Sequence, residues 1–198
     1  MVRPVARKVN RRWHTLVDMG RKADQTKGVI LAAARERFAE SGYEAATIRA
    51  IAADANIDPS MVMRYFGNKE RLFAAAAEFD LRFPDLTAIE RSEVGVAMAS
   101  HFLTRWEDDD ALIVLLRSST TNAEAAQRMM GIFAAQLMPA IAKLVPDDAP
   151  RRAGLIATQV LGMALCRFVL RIPPIVAMSR EELIGWIGPT LQRYLDGE

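Results

Sequence analysis

Apolar residues recur at helical spacing near the start of the chain. Ile30, Ala33, Ala34 and Phe38 are spaced as they would be on one face of an α-helix. Gly42 follows this pattern, and glycine is common just beyond the C-terminus of a helix. The sequence therefore predicts a helix from about residue 24 to residue 41.

Two short helices are predicted to follow. Thr47 suits the N-cap of the second helix, while Asp58 and Pro59 suit the cap and first turn of the third. Val62 and Phe66 lie four residues apart and are expected to face the core. Three helices with a tight turn between the second and third form a helix-turn-helix motif. The predicted buried face of the second helix is Ile48, Ile51, Ala52 and Ala55.

The rest of the chain is also predicted to be helical, so we expect an all-α fold. Asn68 can cap a fourth helix that runs to about Arg82, and Pro84 marks a boundary after it. A capping box at Ser179–Glu182 predicts the start of the last helix, and Pro139 predicts a kink. Five further helices are expected at about residues 87–106, 109–119, 123–144, 149–171 and 180–195.

The net charge of +2 is unevenly distributed. Residues 1–22 carry seven Lys and Arg against one acidic residue, whereas residues 23–82 and 83–198 are both slightly acidic. We expect residues 1–22 to form a flexible basic arm, which is either a solubilising tail or a segment that contacts a polyanion. In the second case Arg11 and Arg12 are candidates for contact with a DNA minor groove.

Residue usage argues against several classes of protein. Cys166 is the one cysteine, which excludes an intramolecular disulfide, and two histidines leave little for a zinc site. We see no paired carboxylates, glycine-rich phosphate loop or nucleophile–base signature, so we expect neither an enzyme nor a metal or other cofactor. No secretory signal opens the chain and the apolar runs are short, so we expect a soluble cytoplasmic protein without a membrane partner.

One stretch of the chain resembles a known family. Residues 47–73, TIRAIAADANIDPSMVMRYFGNKERLF, resemble the DNA-binding signature of the TetR/AcrR family of bacterial transcriptional repressors. The preceding helix and Gly42-Tyr43 match as well, so the resemblance covers about residues 24–75. The remainder resembles, more loosely, the actinobacterial ligand-binding domains of this family.

The resemblance implies an organisation and a set of partners. It predicts a helix-turn-helix DNA-binding domain at residues 23–82 and a ligand-binding and dimerisation domain at residues 83–198. It also implies a homodimer that binds an operator in double-stranded DNA and responds to a small-molecule effector. Ligand binding would change the spacing of the two DNA-reading heads.

Residues of the motif are assigned provisional roles in DNA binding. Arg64 is the strongest candidate for a guanine contact, since a guanidinium pairs with O6 and N7, but a phosphate contact or an ion pair is an equal alternative. The family commonly has tyrosine at the position of Met63, and a thioether packs against a thymine methyl instead of donating a hydrogen bond. The remaining candidates, for base or phosphate contacts, are Thr47, Arg49, Ser60, Tyr65 and Lys69.

The C-terminal half is rich in methionine and aromatic residues, which suit an apolar ligand but also ordinary core packing. His101 is an additional candidate for a polar ligand contact. The last two long helices are expected to form the dimer, although either face could be intrasubunit core. The predicted pocket is Met98, Phe102, Trp106, Leu112, Leu116, Met129, Met130 and Phe133, and the predicted dimer interface is Gly154, Ala157, Val160, Leu183, Trp186, Ile187 and Leu191.

Together these observations predict a transcriptional repressor that binds a palindromic operator as a homodimer and is released by a small, largely apolar effector. Two alternatives remain at this stage. One is a DNA-binding regulator with no small-molecule effector, whose C-terminal domain would lack an internal cavity. The other is a helical enzyme.

Overall fold

The computed structural model describes the backbone of residues 9–197 and the side chains from Arg21 onward. Every regular element in this range is helical, which confirms the expected all-α fold. Helices α7 and α9 continue into single π-helical turns at Phe133–Leu137 and Leu165–Val169. The α-helices are Val9–Ala45 (α1), Ile48–Asp54 (α2), Pro59–Phe66 (α3), Lys69–Ala76 (α4), Val94–Asp108 (α5), Ala111–Ser118 (α6), Ala123–Ile132 (α7), Met138–Ala142 (α8), Ala149–Ala164 (α9), Pro173–Ala177 (α10) and Arg180–Asp196 (α11).

Helices α1 to α4 pack around a core of their own. Phe38, on α1, meets Phe73, on α4, edge to face with 5.2 Å between ring centroids. Tyr43 contacts the same Phe73 ring at 4.9 Å. Edge-to-face pairs at this separation are favourable beyond the apolar area that they bury. The aromatic trio therefore joins the first and last helices of this four-helix unit.

The predicted helix starts are confirmed. Thr47, Asp58 and Asn68 each accept a hydrogen bond from a backbone N–H in the first turn of α2, α3 and α4, at 3.1, 2.8 and 2.8 Å. Ser179 and Glu182 form the predicted capping box at the start of α11. These caps satisfy N–H groups that a helix leaves without an internal partner. Gly42 also behaves as expected, since its φ of 74° interrupts the helical backbone near the end of α1.

The fourth helix is shorter than predicted. It ends at Ala76 instead of about Arg82, and an extended segment replaces its last two turns. Phe79 and Leu81 are buried there, whereas Asp80 and Arg82 are exposed. This alternation has the two-residue period of extended chain, so the segment cannot continue the helix without exposing one of its apolar side chains.

The C-terminal domain holds this extended segment by hydrogen bonds. The backbone N–H of Leu81 donates to Oε1 of Gln136 at 2.6 Å, and Nε2 of Gln136 donates to the carbonyl of Phe79 at 3.2 Å. Nε2 of His101 lies 2.7 Å from the carbonyl of Leu81. The connection between the two domains is thus fixed in place by side chains of the C-terminal domain.

The beginning of the chain also differs from the prediction. Helix α1 begins at Val9, so residues 9–22 are helical where a flexible arm was expected. No proline interrupts the chain between Pro4 and Pro59, and residues 9–22 include Arg, Leu, Met and Lys, which favour helix. Residues 1–8, where the predicted arm starts, lie outside the described part of the chain.

Pro139 perturbs its helix, as its sequence position indicated. The π-helical turn Phe133–Leu137 comes directly before it, at the entrance to α8. Proline has no N–H to donate to the preceding turn, so the hydrogen-bond pattern is locally displaced. The stretch Pro146–Val169 is long and apolar enough to cross a membrane by length and composition alone. Its residues Ala153 and Ile156 are fully buried in the C-terminal core, whereas only 28% of its most apolar 18-residue window is buried.

Candidate DNA-binding surface and ligand cavity

The turn between α2 and α3 has a defined hydrogen-bond pattern. The N–H of Ile57 donates to the carbonyl of Ala52 at 2.9 Å, and the N–H of Asn56 donates to the carbonyl of Ala53 at 3.0 Å. Asn56 has a φ of 53°, a left-handed conformation that asparagine tolerates better than most residues. This is a Schellman ending, and it sets the direction in which α3 leaves α2.

Helix α3 presents a short exposed face to solvent. Val62 is fully buried, whereas Ser60, Met63 and Arg64 are exposed, Met63 to 46%. Gly67 ends the helix with a φ of 84°, and its N–H donates to the carbonyl of Met63 at 2.8 Å. Two turns of helix with a polar and basic outer face fit a DNA major groove. Three predicted base-reading residues are therefore exposed, and the Ser60 hydroxyl also hydrogen-bonds to the Asp58 carboxylate.

Lys69 is positioned across the entrance to α4. Its ammonium group donates to the carbonyl of Glu44 at 3.2 Å and lies 4.4 Å from the centre of the Tyr43 ring. These contacts offset the unfavourable position of a cation at a helix N-terminus. An ammonium group has three N–H donors, so the geometry leaves Lys69 donors for a phosphate.

The other candidates lie around the same surface. Thr47 and Arg49 are exposed at the start of α2, and the Thr47 side chain is already engaged as the N-cap. Tyr65 is half-buried against the domain core, so its ring is less available than expected. Arg11 and Arg12 lie on the backbone of α1, and their side chains lie outside the described part of the structure.

Sequence reasoning missed an ion pair that joins α1 to α2. Nε and Nη2 of Arg37 donate to the two carboxylate oxygens of Asp54, at 2.7 and 2.5 Å. The hydrogen bonds from Arg37 hold the pKa of Asp54 below its usual value and raise the pKa of Arg37. The residues are 17 positions apart on different helices, so no helical spacing rule could have paired them.

An apolar cavity of about 220 Å³ lies in the C-terminal domain. Its walls come from α5, α6, α7, the first π turn and α9, with Leu81 of the extended segment completing them. The predicted residues that line it are Phe102, Trp106, Leu112, Met129, Met130 and Phe133, and those that the prediction missed are Leu81, Ile132, Leu137, Ala157, Val160 and Leu161.

Three further residues proposed for ligand contact do not line this cavity. Met98 is fully buried in the surrounding core, and Leu116 is half-buried against the same core. Both lie on helices that contribute to the wall, but their side chains are used for packing between helices. His101 bonds to the carbonyl of Leu81 and stacks against Phe83 instead.

The predicted dimer residues separate into two groups. Val160, Leu183 and Leu191 are at most 4% exposed within one subunit, so assigning them to an interface was wrong. The amphipathic pattern was real, but it faces the core of the same subunit. Ala157 is half-buried and lines the cavity. By contrast, Trp186 is 73% exposed, while Gly154 and Ile187 are partly exposed, so these three remain available to a partner.

The described residues hold no cluster of three or more His, Cys, Asp or Glu side chains that could bind a metal ion. Cys166 is a free, partly exposed thiol in the groove beside Trp186. The described residues therefore present a polar helical surface on one domain and an apolar cavity in the other.

The fold and surface define a helix-turn-helix DNA-binding protein with a helical C-terminal domain. Residues 30–76 match the family described as "Bacterial regulatory proteins, tetR family", and residues 92–195 match "Tetracyclin repressor-like, C-terminal domain". The chain belongs to the TetR family of bacterial regulatory proteins. These matches indicate a non-enzymatic DNA-binding regulator and confirm the resemblance seen in residues 47–73.

Solved structures and curated proteins agree with this assignment. A TetR-family regulator from Streptomyces coelicolor A3 is 28% identical over 87% of this chain and 96% of its own, with a TM-score of 0.57. A TetR-like regulator from a Rhodococcus species, 18% identical over 87% of this chain and 97% of its own, shares the fold with a TM-score of 0.66. The HTH-type transcriptional repressor AcnR from Corynebacterium efficiens is 39% identical over 64 residues. Those residues are 32% of this chain and 34% of AcnR.

Proposed function

We propose that this protein is a transcriptional repressor that binds a palindromic operator as a homodimer and is released by a small, largely apolar effector. One observation carries the effector-controlled part of this proposal. Helix α6 belongs to both halves of the molecule, since Leu112 lines the cavity while Val114 and Leu115 are buried in the core of the DNA-binding domain. A change at the cavity wall therefore acts directly on the element that supports α1.

Further contacts across the same boundary support this coupling. Nε of Arg35, on α1, donates to the carbonyl of Ala76 at the end of α4 at 3.0 Å, and its Nη1 lies 4.0 Å from Asp109, just before α6. Arg105 pairs with the same carboxylate at 3.5 Å, beside the cavity residue Trp106. A side chain beside the cavity is thus linked, through Asp109 and Arg35, to the last turn of α4.

The sign of regulation is inferred from the curated relatives. The protein that matches over the DNA-binding region is named a repressor, and the chain spans about a third of its length. Repression needs no contact with the transcription machinery, because a protein that occupies an operator blocks access by itself. We infer repression as the simplest mode for a chain whose matched regions are a DNA-binding domain and a TetR-type C-terminal domain.

The operator contacts are inferred from the exposed face of α3. Arg64 is assigned a guanine contact, Met63 a thymine methyl and Ser60 a polar contact in the groove. Thr47 and Lys69 are assigned phosphates on either side, where they would fix the orientation of the domain without reading sequence. Arg49 and Tyr65 are secondary phosphate candidates in the same area.

Dimerisation is inferred from the outer face of α9 and α11. Trp186 is 73% exposed and lines a groove with Met163 of α9 and Ile187 of α11, apolar surface that favours burial against a second copy. A twofold dimer would present its two α3 helices to half-sites about one helical turn apart, roughly 34–36 Å. Such a regulator acts on chromosomal DNA, so we infer a cytoplasmic location.

The alternative of a regulator without an effector is disfavoured by the cavity. Its distinguishing feature would be a packed C-terminal domain, whereas an apolar space of about 220 Å³ exceeds the ~150 Å³ that holds a benzene molecule. Met130 in its wall is 61% exposed, so the cavity is open to solvent there and a ligand can enter.

The test is a DNA-release assay with a cavity-filling variant. Fluorescence anisotropy on a labelled operator would follow dissociation as neutral aromatic compounds are added. Ala157→Phe places a ring in the cavity and is expected to keep DNA affinity within about threefold while abolishing release. Ala126→Phe, at a partly exposed site on α7 outside the cavity lining, is the control and should still respond. Equal release from wild type and Ala157→Phe would refute the effector site.

A further inference from the structure

The side chains that line the cavity have unusually uniform chemistry. All twelve lining residues are hydrophobic, and none carries a charge. A charged ligand would leave its water shell for walls that offer it no counter-ion, which is strongly unfavourable. The cavity therefore selects neutral molecules.

Trp106 is the exception within this lining, because its indole Nε1–H is the only N–H or O–H group among the lining side chains. The residue is 2% exposed, and Nε1 has no hydrogen-bond partner among the described residues. Buried indole N–H groups usually find a partner, and a buried donor left unsatisfied is costly. The indole N–H can only donate, so it requires an acceptor.

The orientation of the indole ring is fixed by its neighbour. Trp106 stacks on Phe168 with 6.1 Å between ring centroids and 8° between the ring planes. Phe168 comes from the π turn after α9, the helix that supplies Val160 and Leu161 to the cavity wall. The donor is thus held on a ring that cannot rotate without breaking this stack.

We propose that the effector is a neutral, mainly apolar molecule of about one to two rings that carries a hydrogen-bond acceptor for Nε1 of Trp106. Ketones, esters, ethers and lactones supply such an acceptor, whereas carboxylates and ammonium compounds are excluded by charge. This inference rests on the proposed effector function and names its ligand class. The apolar walls provide affinity for the body of the ligand, and Trp106 provides selectivity among molecules of equal size. Met129 and Met130 adapt the wall to its shape.

A matched set of probe molecules tests the inference. Acetophenone and α-methylstyrene have the same planar shape and number of non-hydrogen atoms, but only acetophenone has a carbonyl oxygen. Benzoate has a similar skeleton with a negative charge. Dissociation constants for all three would be measured by titration of the full-length protein and of Trp106→Phe, which removes the indole N–H while keeping an aromatic ring.

Each probe is compared between the wild type and Trp106→Phe, so differences in water solubility among the probes cancel. Trp106→Phe is expected to weaken the binding of acetophenone by roughly threefold to tenfold, which is the effect of one net hydrogen bond. The dissociation constant of α-methylstyrene is expected to change by no more than about twofold. Benzoate is expected to bind neither protein. Tyr194→Phe removes an O–H donor from a residue outside the cavity lining and should leave all three constants unchanged.

A second measurement needs no variant of Trp106. In ¹⁵N-labelled wild-type protein, acetophenone should move the indole N–H resonance of Trp106 downfield, and α-methylstyrene should not. Equal effects of Trp106→Phe on both neutral probes, or no downfield shift, would overturn the inference while leaving the cavity as an effector site. Failure of both neutral probes to bind would overturn the effector site as well, and tight binding of benzoate would overturn the neutral ligand class.

Discussion

The contact between α5 and α11 depends on two glycines, and Gly95→Ala tests it. A Cβ at position 95 would overlap the carbonyl oxygen of Gly188, and it would lie 2.5 Å from the backbone nitrogen of Gln192 and 2.8 Å from its Cβ. Two of these three atoms belong to the backbone, so no side-chain rotation can remove the clash. Reaching an ordinary contact distance requires the helices to separate by roughly 1 Å, in a core whose packing tolerates little displacement.

Overpacking of this kind costs about 1–3 kcal/mol and sometimes more. Alanine recovers about 0.5–1 kcal/mol through its better helix propensity. We therefore expect Gly95→Ala to lower the free energy of unfolding by about 1–2 kcal/mol, which for a chain of this size lowers Tm by roughly 2–8 °C. Differential scanning calorimetry at fixed protein concentration would measure it, since the proposed dimerisation would make Tm concentration-dependent.

The control is another helical glycine without a close neighbour. A Cβ at Gly28, on α1, would meet nothing within 4 Å. Gly28→Ala is therefore expected to raise stability by about 0.5–1 kcal/mol. A Tm for Gly95→Ala equal to or above that of the wild type would refute the close approach of α5 and α11.

Three further changes have defined outcomes. Arg64→Ala is expected to weaken operator binding by roughly tenfold or more and to relax preference at one base pair of each half-site, as measured by anisotropy on single-base operator variants. Asp54→Asn should lower Tm at pH 7, because the depressed pKa of Asp54 means that its pairing with Arg37 stabilises the fold above the unfolded pKa of about 3.9 and is lost as pH falls through the folded pKa; the Tm difference from wild type should shrink steadily as the pH is lowered below about 3.9. Gln136→Leu breaks two hydrogen bonds to the extended segment and should cost about 1–3 kcal/mol in urea unfolding, leaving the Leu81 N–H without its acceptor.

Matched controls make these outcomes specific. Arg151→Ala removes the same charge from an exposed site on α9, and equal losses in both arginine variants would show only a general charge effect. Asp147→Asn alters an exposed carboxylate in the other domain, and a Tm profile identical to that of Asp54→Asn would contradict the ion-pair argument. Gln127→Leu changes an exposed glutamine on α7 and should be nearly neutral. A neutral Gln136→Leu would show that the segment is held by its apolar residues alone.

Local rules predicted the DNA-binding domain well. Thr47, Asp58 and Asn68 act as caps because their short side chains reach N–H groups only a few residues away, and that geometry is independent of the rest of the chain. The buried positions Ile30 and Phe38 likewise follow from helical periodicity. Features that depend only on residues close together in the sequence, such as caps and buried helical faces, could therefore be predicted.

The same local rules could not predict which helices pack against each other. Val160 and Leu191 have apolar periodicity whether they face a second subunit or their own, and the structure buries both within one chain. Trp106 could be assigned to the cavity by residue type, but its unpartnered Nε1 depends on atoms from α6, α9 and the π turn together. The Arg37–Asp54 pair needs two helices to cross at one angle. Such features follow from the tertiary arrangement.

The central claim is sequence-specific reading of DNA by a dimer through α3. The most direct test selects binding sites from a random double-stranded DNA pool with purified wild-type protein at near-physiological salt, with Arg64→Ala in parallel. We expect the wild type to enrich a palindrome with half-sites about one helical turn, roughly 34–36 Å, apart, and the variant to enrich it weakly or with a relaxed preference at one position. Salt-sensitive binding without an enriched sequence, or an identical motif from both proteins, would contradict it.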